Sequence, residues 1–232
     1  MPKLKQYSDK SFTIPIKGKV IHFANNPAQR TYIKNRVDRI LSKEPETINW
    51  MKSFSKQSIF FDIGANIGIY TLYSAIIHEN KVYSFEPHSV NYKNLLDSIS
   101  LNGLKNCHAF CFAVSNQMAL SSMQIKDMYE GVADNIVGVR GDYYHGCVEM
   151  PLDFLVSKGT LPQPDYIKID VDGFEDRTVE GAITTIQRSK SVLIEIDNKH
   201  LELVKKITDL GLVLTSKHRR NAEEFNYIFT QK

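Results

Sequence analysis

A glycine-containing turn at the end of an apolar run is the first segment that suggests chemistry. Residues 60–68 pass from aromatic side chains into a turn. The turn residues are Gly64, Ala65, Asn66 and Gly68. Glycine lets the backbone turn tightly and lets a ligand approach main-chain N–H groups. The structural alternative is a strand-to-helix turn with Asn66 as the N-cap.

The acid beside this turn distinguishes between two cofactors. The spacing of the glycines differs from the G-x-G-x-x-G pattern of dinucleotide sites, and Asp62 stands just before Gly64. A carboxylate there suits an ammonium or sulfonium group better than a pyrophosphate. The turn therefore favours S-adenosylmethionine over a nicotinamide dinucleotide.

Later segments supply candidate contacts to the ribose and adenine of such a cofactor. The candidates are Glu86, Pro87, Asn102, Ala113 and Val114. Glu86 ends an apolar run about 20 residues after the first turn glycine, the spacing at which an acid binds ribose hydroxyls in dinucleotide folds. The small residues at 113–114 leave room for a flat base. Gly103 also marks the end of a helix, so an adenine contact beside it is the less specific interpretation.

An acid cluster follows the fourth apolar run and is the candidate catalytic site. It comprises Asp170, Asp172 and Glu175. Carboxylates at a strand end, next to where the methyl group of the cofactor should lie, can position an acceptor and take up its proton. Asp170 is the first choice because it closes the strand. The spacing of Asp172 and Glu175 also fits a capping box, so helix capping is their alternative role.

Other residues offer a metal site or a different base. Asp197 follows the next apolar run, and with Asp170 it could hold Mg²⁺, although Asp197 also suits an N-cap and a divalent metal is not favoured. His145 and His88 are further candidate bases. Lys168 is assigned no catalytic role.

A parallel sheet would bring these residues together. Short apolar runs rich in β-branched and aromatic residues alternate with helical stretches, which predicts an α/β fold with helices on both faces. The predicted strands cover residues 59–63, 82–86, 108–114, 166–170 and 192–196. The predicted helices cover residues 69–78, 90–101, 175–188 and 199–210. Two final runs, 212–216 and 225–230, predict an antiparallel hairpin.

Two segments fall outside this alternation. Residues 1–57 are predicted to form a partly helical extension to a main domain at 58–232, with helices over 31–41 and from Glu46, and a buried Trp50. The extension could act as a lid, an interface or a structural support. Residues 126–146 place aromatic side chains among glycines and acids, which fits a substrate-facing flap and a surface loop equally well.

Composition limits the class of partner. A net charge of +3, with 42% hydrophobic and 24% charged residues, is typical of a globular protein and does not indicate nucleic acid or membrane binding. The basic residues near the C-terminus, Arg219 and Arg220 among them, are interpreted as a solvated face. A small-molecule or glycan acceptor is the expected partner, and a homodimer stays open. Three unpaired cysteines and the absence of an apolar leader predict a cytoplasmic protein.

The order of these motifs resembles the FkbM family of methyltransferases over about two thirds of the chain. The matching segments are residues 44–47, 50, 62–68, 85–87, 102–104, 113–115, 151–153, 167–175 and 180–182. The resemblance implies a Rossmann-like class I methyltransferase fold with a seven-stranded sheet, S-adenosylmethionine as cofactor, and methylation of a hydroxyl on a sugar, glycan or polyketide-type product. Asp172 replaces the Glu of many relatives, and residues 1–43 and 127–147 match poorly.

Two other functions compete with this interpretation. A nicotinamide-dependent oxidoreductase would use a related sheet, but the glycine spacing argues against it. A non-catalytic cofactor-binding domain of a biosynthetic assembly would not need the acid cluster at residues 170–175.

Overall fold

Fourteen strands and eight α-helices follow one another in the computed structural model, which describes residues 5–8, 11–25, 30–124, 136–137 and 144–232. The strands are β1 (Lys5–Ser8), β2 (Ser11–Ile16), β3 (Lys19–Ala24), β4 (Ile59–Ile63), β5 (Lys81–Phe85), β6 (Cys107–Phe110), β7 (Ala113–Val114), β8 (Ala119–Gln124), β9 (Ile136–Val137), β10 (Tyr144–Met150), β11 (Tyr166–Ile169), β12 (Ser191–Asp197), β13 (Leu212–Arg219) and β14 (Glu224–Gln231). The helices are α1 (Arg30–Asp38), α2 (Pro45–Met51), α3 (Ile69–Tyr73), α4 (Ser89–Leu101), α5 (Leu152–Ser157), α6 (Glu175–Glu180), α7 (Ile183–Gln187) and α8 (Glu202–Asp209). A π-helical turn, Ser74–His78, extends α3, and a 3₁₀ turn, Asn198–His200, precedes α8.

The seven-stranded sheet predicted from the sequence is present, in the order β13-β14-β12-β11-β4-β5-β6. Five neighbouring strands run parallel: β12, β11, β4, β5 and β6. Strands β13 and β14 form the predicted antiparallel hairpin at one edge. The strand order reverses between β4 and β11. In open parallel sheets a ligand binds at the carboxyl ends of the strands beside such a switch point.

Apolar side chains cover both faces of this sheet. Phe60 and Phe61 are fully buried and belong to two different core clusters, because successive strand residues point to opposite faces. One cluster contains Trp50, which is buried as predicted and donates a hydrogen bond to Ser191. The described part of the chain contains no helix long and apolar enough to cross a bilayer.

The N-terminal segment contains a sheet that the sequence did not predict. Strands β1, β2 and β3 form a three-stranded antiparallel sheet, and Phe12 and Phe23 bury their rings in the same core cluster as Phe60. Helices α1 and α2 are present where helices were predicted. The N-terminal sheet packs on α4 and the π-helical turn, and α2 is tied to the main sheet through Trp50.

Three predicted elements are divided in the structure. The predicted strand 108–114 is split, because β6 pairs with β5 whereas β7 leaves the main sheet to pair with β10. The predicted helix 175–188 is split into α6 and α7 around Gly181, where a Cβ atom would lie 1.8 Å from the Ser115 carbonyl oxygen. The predicted helix 199–210 begins as the 3₁₀ turn.

A second sheet, in the order β7-β10-β8-β9, partly replaces the predicted loop at 126–146. Strand β10 pairs antiparallel with β8 over its first six residues. Most of the proposed flap lies outside the described residues, so that prediction stays a prediction.

Candidate functional site

A cavity of about 340 Å³ opens at the carboxyl ends of the parallel strands, beside the switch point. Two sets of residues line it. We call the first set the glycine half: Gly64, Asn66, Glu86, Pro87, Ala113, Val114 and Asp172. We call the second set the ion-pair half: Arg36, Arg39, Lys43, Asp170, Glu195, Arg220 and Glu224.

The turn after β4 approaches the end of β11 closely because Gly64 has no side chain. Its φ is +77°, and a Cβ atom would lie 1.8 Å from the Asp170 carbonyl oxygen. The N–H groups of Gly64 and Ala65 both donate to the carbonyl of Phe85. The turn is thereby tied to the two strands that flank β4, which fixes the floor of the glycine half.

Asn66 is not the N-cap of the following helix. Gly68 holds that position with a φ of +86°, and a Cβ atom on it would lie 2.4 Å from Leu95. Asn66 itself has a left-handed φ of +51°, and its side chain accepts from the N–H of Ile67. Gly68 and the buried Ala65 therefore belong to the turn without lining the cavity, whereas Asn66 lines it.

Glu86 lies in the cavity wall at the end of β5. Its carboxylate accepts hydrogen bonds from the N–H of Asn66 at 2.7 Å and from the N–H of His88 at 2.9 Å. Burial, with a smaller contribution from the Asp172 charge, raises the pKa of Glu86 to about 7. This acid is correctly placed to receive hydroxyl donors from a ligand above the turn.

Besides Ala65 and Gly68, two further residues predicted to bind the cofactor do not line the cavity. Asp62 is fully buried beneath the turn, where its carboxylate accepts from the Thr71 hydroxyl at 2.6 Å. Asn102 lies on the far side of α4, donating to the His22 carbonyl and accepting from the His22 N–H. The amide of Asn102 binds the N-terminal sheet and does not face the cavity. Its neighbour Gly103 has a positive φ and ends the helix, which is the first of the two interpretations of this segment.

Asp170 lines the cavity, and its carboxylate is held by Lys168. The Lys168 ammonium lies 2.6 Å from the Asp170 carboxylate and 4.9 Å from the centre of the Tyr70 ring. Lys168 has only 1% of its surface exposed. Burial raises the pKa of Asp170, but the Lys168 ammonium, together with the charges of Arg220 and Lys43, lowers it to about 2. Lys168 therefore keeps the site's central carboxylate ionised, a role that the sequence did not suggest.

Arg220 joins three distant parts of the chain at the ion-pair half. It leaves the turn between β13 and β14, and its guanidinium contacts Glu195 at 2.6 Å and Glu44 at 2.8 Å. Glu195 ends β12, and Glu44 is buried just before α2. The interpretation of Arg220 as part of a solvated face was wrong, because its side chain is only 11% exposed.

Glu195 of β12 also lines the cavity. Burial and the nearby negative charge of Asp170 raise the pKa of Glu195 to about 8, although Arg220 acts in the opposite direction. The sequence placed Glu195 at a strand end but did not single it out. Only its position beside Asp170 on the neighbouring strand distinguishes it.

The capping box predicted at residues 172–175 is not formed. Phe174 is the N-cap of α6, and the Glu175 carboxylate accepts from the N–H of Gly173 at 3.1 Å. Asp172 has a φ of +50° and lines the cavity. Aspartate is one of the few residues besides glycine that adopt this left-handed conformation. Glu175 does not line the cavity.

The remaining candidate bases and metal ligands lie elsewhere. His145 is half-buried with its ring 5.9 Å from that of His88, and neither lines the cavity. Asp197 caps the 3₁₀ turn by accepting from the N–H of Lys199 at 2.8 Å. Within the described ranges, Asp170 and Asp197 do not converge with a third metal ligand.

Most of the C-terminal basic residues are neutralised. Lys205 pairs with Asp209 and Lys206 with Glu180, while Lys217 lies 4.0 Å from the Phe225 ring centre. The ion pairs reduce the free positive charge of this surface, whereas Lys217 and Arg219 keep theirs.

Comparisons with known proteins agree with this geometry. The sequence model described as the Methyltransferase FkbM domain matches residues 62–229. Among curated proteins none matches the sequence significantly.

Three solved structures are similar in fold. Methyltransferase FkbM from Methylobacillus flagellatus KT superposes with a TM-score of 0.54 at 18% identity, over 75% of this chain and 44% of that chain. The protein described here thus spans less than half of the length of that relative. A candidate tRNA (m1A22) methyltransferase of Streptococcus pneumoniae gives a TM-score of 0.54 at 12% identity, over 82% of this chain and 70% of that one. TrmK of M. capricolum in complex with S-adenosylhomocysteine gives a TM-score of 0.50 at 10% identity, over 81% and 68% of the two chains.

Proposed function

The chain belongs to the FkbM methyltransferase family, and we propose that it methylates a hydroxyl group of a sugar, glycan or polyketide-type metabolite. S-adenosylmethionine is the methyl donor, as the sequence predicted. The observation that supports hydroxyl methylation is the pair of carboxylates at adjacent strand ends: Asp170, which is ionised, and Glu195, whose pKa lies near 8.

The glycine half suits the adenosine part of the cofactor. The Glu86 carboxylate would accept hydrogen bonds from the ribose hydroxyls. The side chains of Pro87, Ala113 and Val114 offer an apolar surface to the adenine. The cofactor supplies an electrophilic methyl group on a positively charged sulfur, and the Asp170 and Asp172 carboxylates favour a positive charge in this cavity.

The two carboxylates of the ion-pair half would have different roles. A carboxylate whose pKa is about 2 is a poor proton acceptor near neutral pH. We therefore assign the role of general base to Glu195 instead of Asp170. Asp170 would orient the acceptor hydroxyl and stabilise the positive charge of the donor. Glu195 would remove the hydroxyl proton as the oxygen attacks the methyl carbon. Arg220 would hold the Glu195 carboxylate in position.

An alcohol needs this arrangement more than an amine does. A neutral amine carries a free electron pair, whereas an alcohol attacks well only when a base removes its proton. The end of β11 also has no Asn-Pro-Pro-Tyr-like segment, the kind that amine methyltransferases carry there. The ion-paired C-terminal surface gives little support to a nucleic acid acceptor.

The test measures methyl transfer from ¹³C-methyl-labelled S-adenosylmethionine to a panel of hydroxylated and amino-bearing glycans and metabolites. Glu195→Gln should lower the rate on the best acceptor about 100-fold while leaving the affinity for S-adenosylhomocysteine unchanged. Asp197→Asn is the matched control, since asparagine also caps a helix and the residue lies outside the cavity. Full activity of Glu195→Gln would refute the assigned base, and an N-methyl signal in the NMR spectrum of the product would refute hydroxyl methylation.

A further inference from the structure

Glu44 reaches the ion-pair half from the N-terminal segment. Its side chain is only 3% exposed, although the residue immediately precedes α2. The carboxylate does not cap this helix, because the N–H groups of Thr47 and Ile48 donate to the Glu44 backbone carbonyl instead. Buried charges in proteins are paired, since burial removes their hydration. The partners of Glu44 therefore indicate what its side chain does.

The main partner of Glu44 is Arg220, which lies between two carboxylates. Its Nη1 is 2.8 Å from Glu44 Oε1, and its Nε is 2.6 Å from Glu195 Oε2. Burial lowers the pKa of Arg220, but the charges of Glu44 and then of Glu195 raise it above its ordinary value. One guanidinium charge is thus shared between Glu195, which lines the cavity, and Glu44, which does not.

The Glu44 charge also acts on Lys168, the cation that holds Asp170. Burial lowers the pKa of Lys168, but the charges of Asp170 and then of Glu44 raise it above its ordinary value. The ring centre of Tyr70 lies 4.9 Å from the Lys168 ammonium, and burial followed by the Glu44 charge raises the pKa of its phenol. Glu44 therefore interacts with the cations that hold Asp170 and Glu195.

The charge of Glu195 depends on the groups that surround it. Three charged side chains face it from the neighbouring elements: Asp170, Lys168 and Arg220. The residue opposite it on β14, Asn226, is neutral. Without Glu44, the Arg220 guanidinium would act on Glu195 alone, and a nearby negative charge would be lost. Both changes favour the ionised form of Glu195 and make it a weaker base.

We propose that Glu44 is a positioning residue of the reaction, which acts through Arg220 to hold the Glu195 carboxylate in place and to keep it a strong proton acceptor. This inference rests on the proposed function, because it concerns the base assigned there. It gives residues 1–57 a part in the active site beyond the lid, interface or support that the sequence left open.

NMR titration of the protein labelled with ¹³Cδ-glutamate and saturated with S-adenosylhomocysteine tests the inference. The Glu195 resonance is the one missing from Glu195→Gln. In the wild type it should titrate at about pH 8, and in Glu44→Gln the midpoint should lie about one pH unit lower. Glu46→Gln is the matched control, because Glu46 is an acid of the same segment that accepts from the Asn226 amide at 2.7 Å and lies outside the cavity. Its midpoint should equal that of the wild type.

An unchanged midpoint in Glu44→Gln, or equal decreases in Glu44→Gln and Glu46→Gln, would overturn the proposal. A merely structural role of Glu44 would lower the stability of the protein without moving the midpoint. If Glu44→Gln does not fold, Glu44→Asp takes its place. Its shorter side chain withdraws the carboxylate from Arg220, so the midpoint should fall by a smaller amount, and an unchanged midpoint would again overturn the proposal.

The pH dependence of methyl transfer to the best acceptor of the panel is the second readout. In Glu44→Gln the pH of half-maximal rate should fall with the NMR midpoint, and the rate at high pH should fall about threefold, because a weaker base accepts the proton less readily. An unchanged rate profile would contradict the role of Glu44 in the reaction. The NMR titration needs no acceptor, so it can be read even if hydroxyl methylation fails. Conversely, an unchanged NMR midpoint would leave hydroxyl methylation standing.

Discussion

The turn and the acid of the glycine half come from two strand ends that follow each other in the chain, whereas the ion-pair half gathers its charges from four separate segments. Gly64, Asn66 and Glu86 lie at the ends of two adjoining strands and are tied together by backbone hydrogen bonds. The charges of the ion-pair half come from the turn after α1, the end of β11, strand β12 and the turn of the terminal hairpin: Arg39, Asp170, Glu195 and Arg220. A half built from local turns can be recognised from sequence spacing, while a half built from distant ion pairs cannot.

The two halves also differ in what stabilises them. The glycine half depends on close backbone approach, so its tolerance to change is set by sterics. The ion-pair half depends on mutual neutralisation of buried charges, so removing one partner leaves another charge buried and unpaired. Four substitutions test this contrast, and they are arranged by the size of the expected effect.

Arg220→Gln should have the largest effect on stability, because it leaves the Glu44 and Glu195 carboxylates without their cation. The free energy of unfolding should fall by about 3–5 kcal/mol, measured by urea denaturation. Arg219→Gln is the control: its side chain is exposed and donates only to the Asn221 carbonyl, so a change within about 0.5 kcal/mol is expected. Equal losses in the two variants would show that the ion-pair half is not held by Arg220.

Gly64→Ala should lower the free energy of unfolding by about 3 kcal/mol and abolish measurable binding of S-adenosylhomocysteine. The added methyl group would overlap the Asp170 carbonyl oxygen, on top of the cost of a positive φ. Gly159→Ala separates these two causes, since Gly159 has a φ of +70° and open space around it, and it should cost only about 1 kcal/mol. Retention of cofactor binding in Gly64→Ala would remove close approach as the basis of the glycine half.

Glu86→Gln should weaken binding of S-adenosylhomocysteine about tenfold at pH 8, because the ribose hydroxyls would donate to a neutral amide instead of a carboxylate. In the wild type the pKa of Glu86 is raised to about 7 from an ordinary value of 4.5. The stability contributed by the protonated form is therefore present below pH 4.5 and is lost as the pH rises through 7. Cofactor affinity should change in the opposite sense.

Calorimetry between pH 5.5 and 8.5 checks the dependence on Glu86, a range of about 1.5 units on either side of its pKa. Affinity for S-adenosylhomocysteine should rise up to about pH 7 and then level off in the wild type, and this rise should be absent in Glu86→Gln. The same rise in both proteins would assign the titration to another group.

Asn102→Ala should have the smallest effect on the site. The substitution removes hydrogen bonds to His22 and Ser98, so the free energy of unfolding should fall by about 1–2 kcal/mol. Affinity for S-adenosylhomocysteine should not change, because the residue lies outside the cavity. A weakened affinity without loss of stability would restore the role in cofactor binding that the sequence predicted.

The sequence by itself determined the parallel sheet, the family and the identity of the donor. A short continuous apolar run shows a strand that is buried on both faces, and glycine spacing shows a turn because few other residues fit there. The positions of Gly64, Asn66, Glu86 and Asp170 at strand ends follow from these two rules, and all four line the cavity.

Only the tertiary structure decided which charges meet. Asp62 and Asp170 both adjoin strand ends, yet burial under Thr71 removes the first from the cavity while Lys168 fixes the second in it. Arg220 is indistinguishable in sequence from its exposed neighbour Arg219, because the sign of a charge does not encode its partner. The pKa values of Asp170 and Glu195 depend on burial and on charges from distant segments. No local pattern records these quantities, so the donor could be predicted from the sequence and the arrangement of the ion-pair half could not.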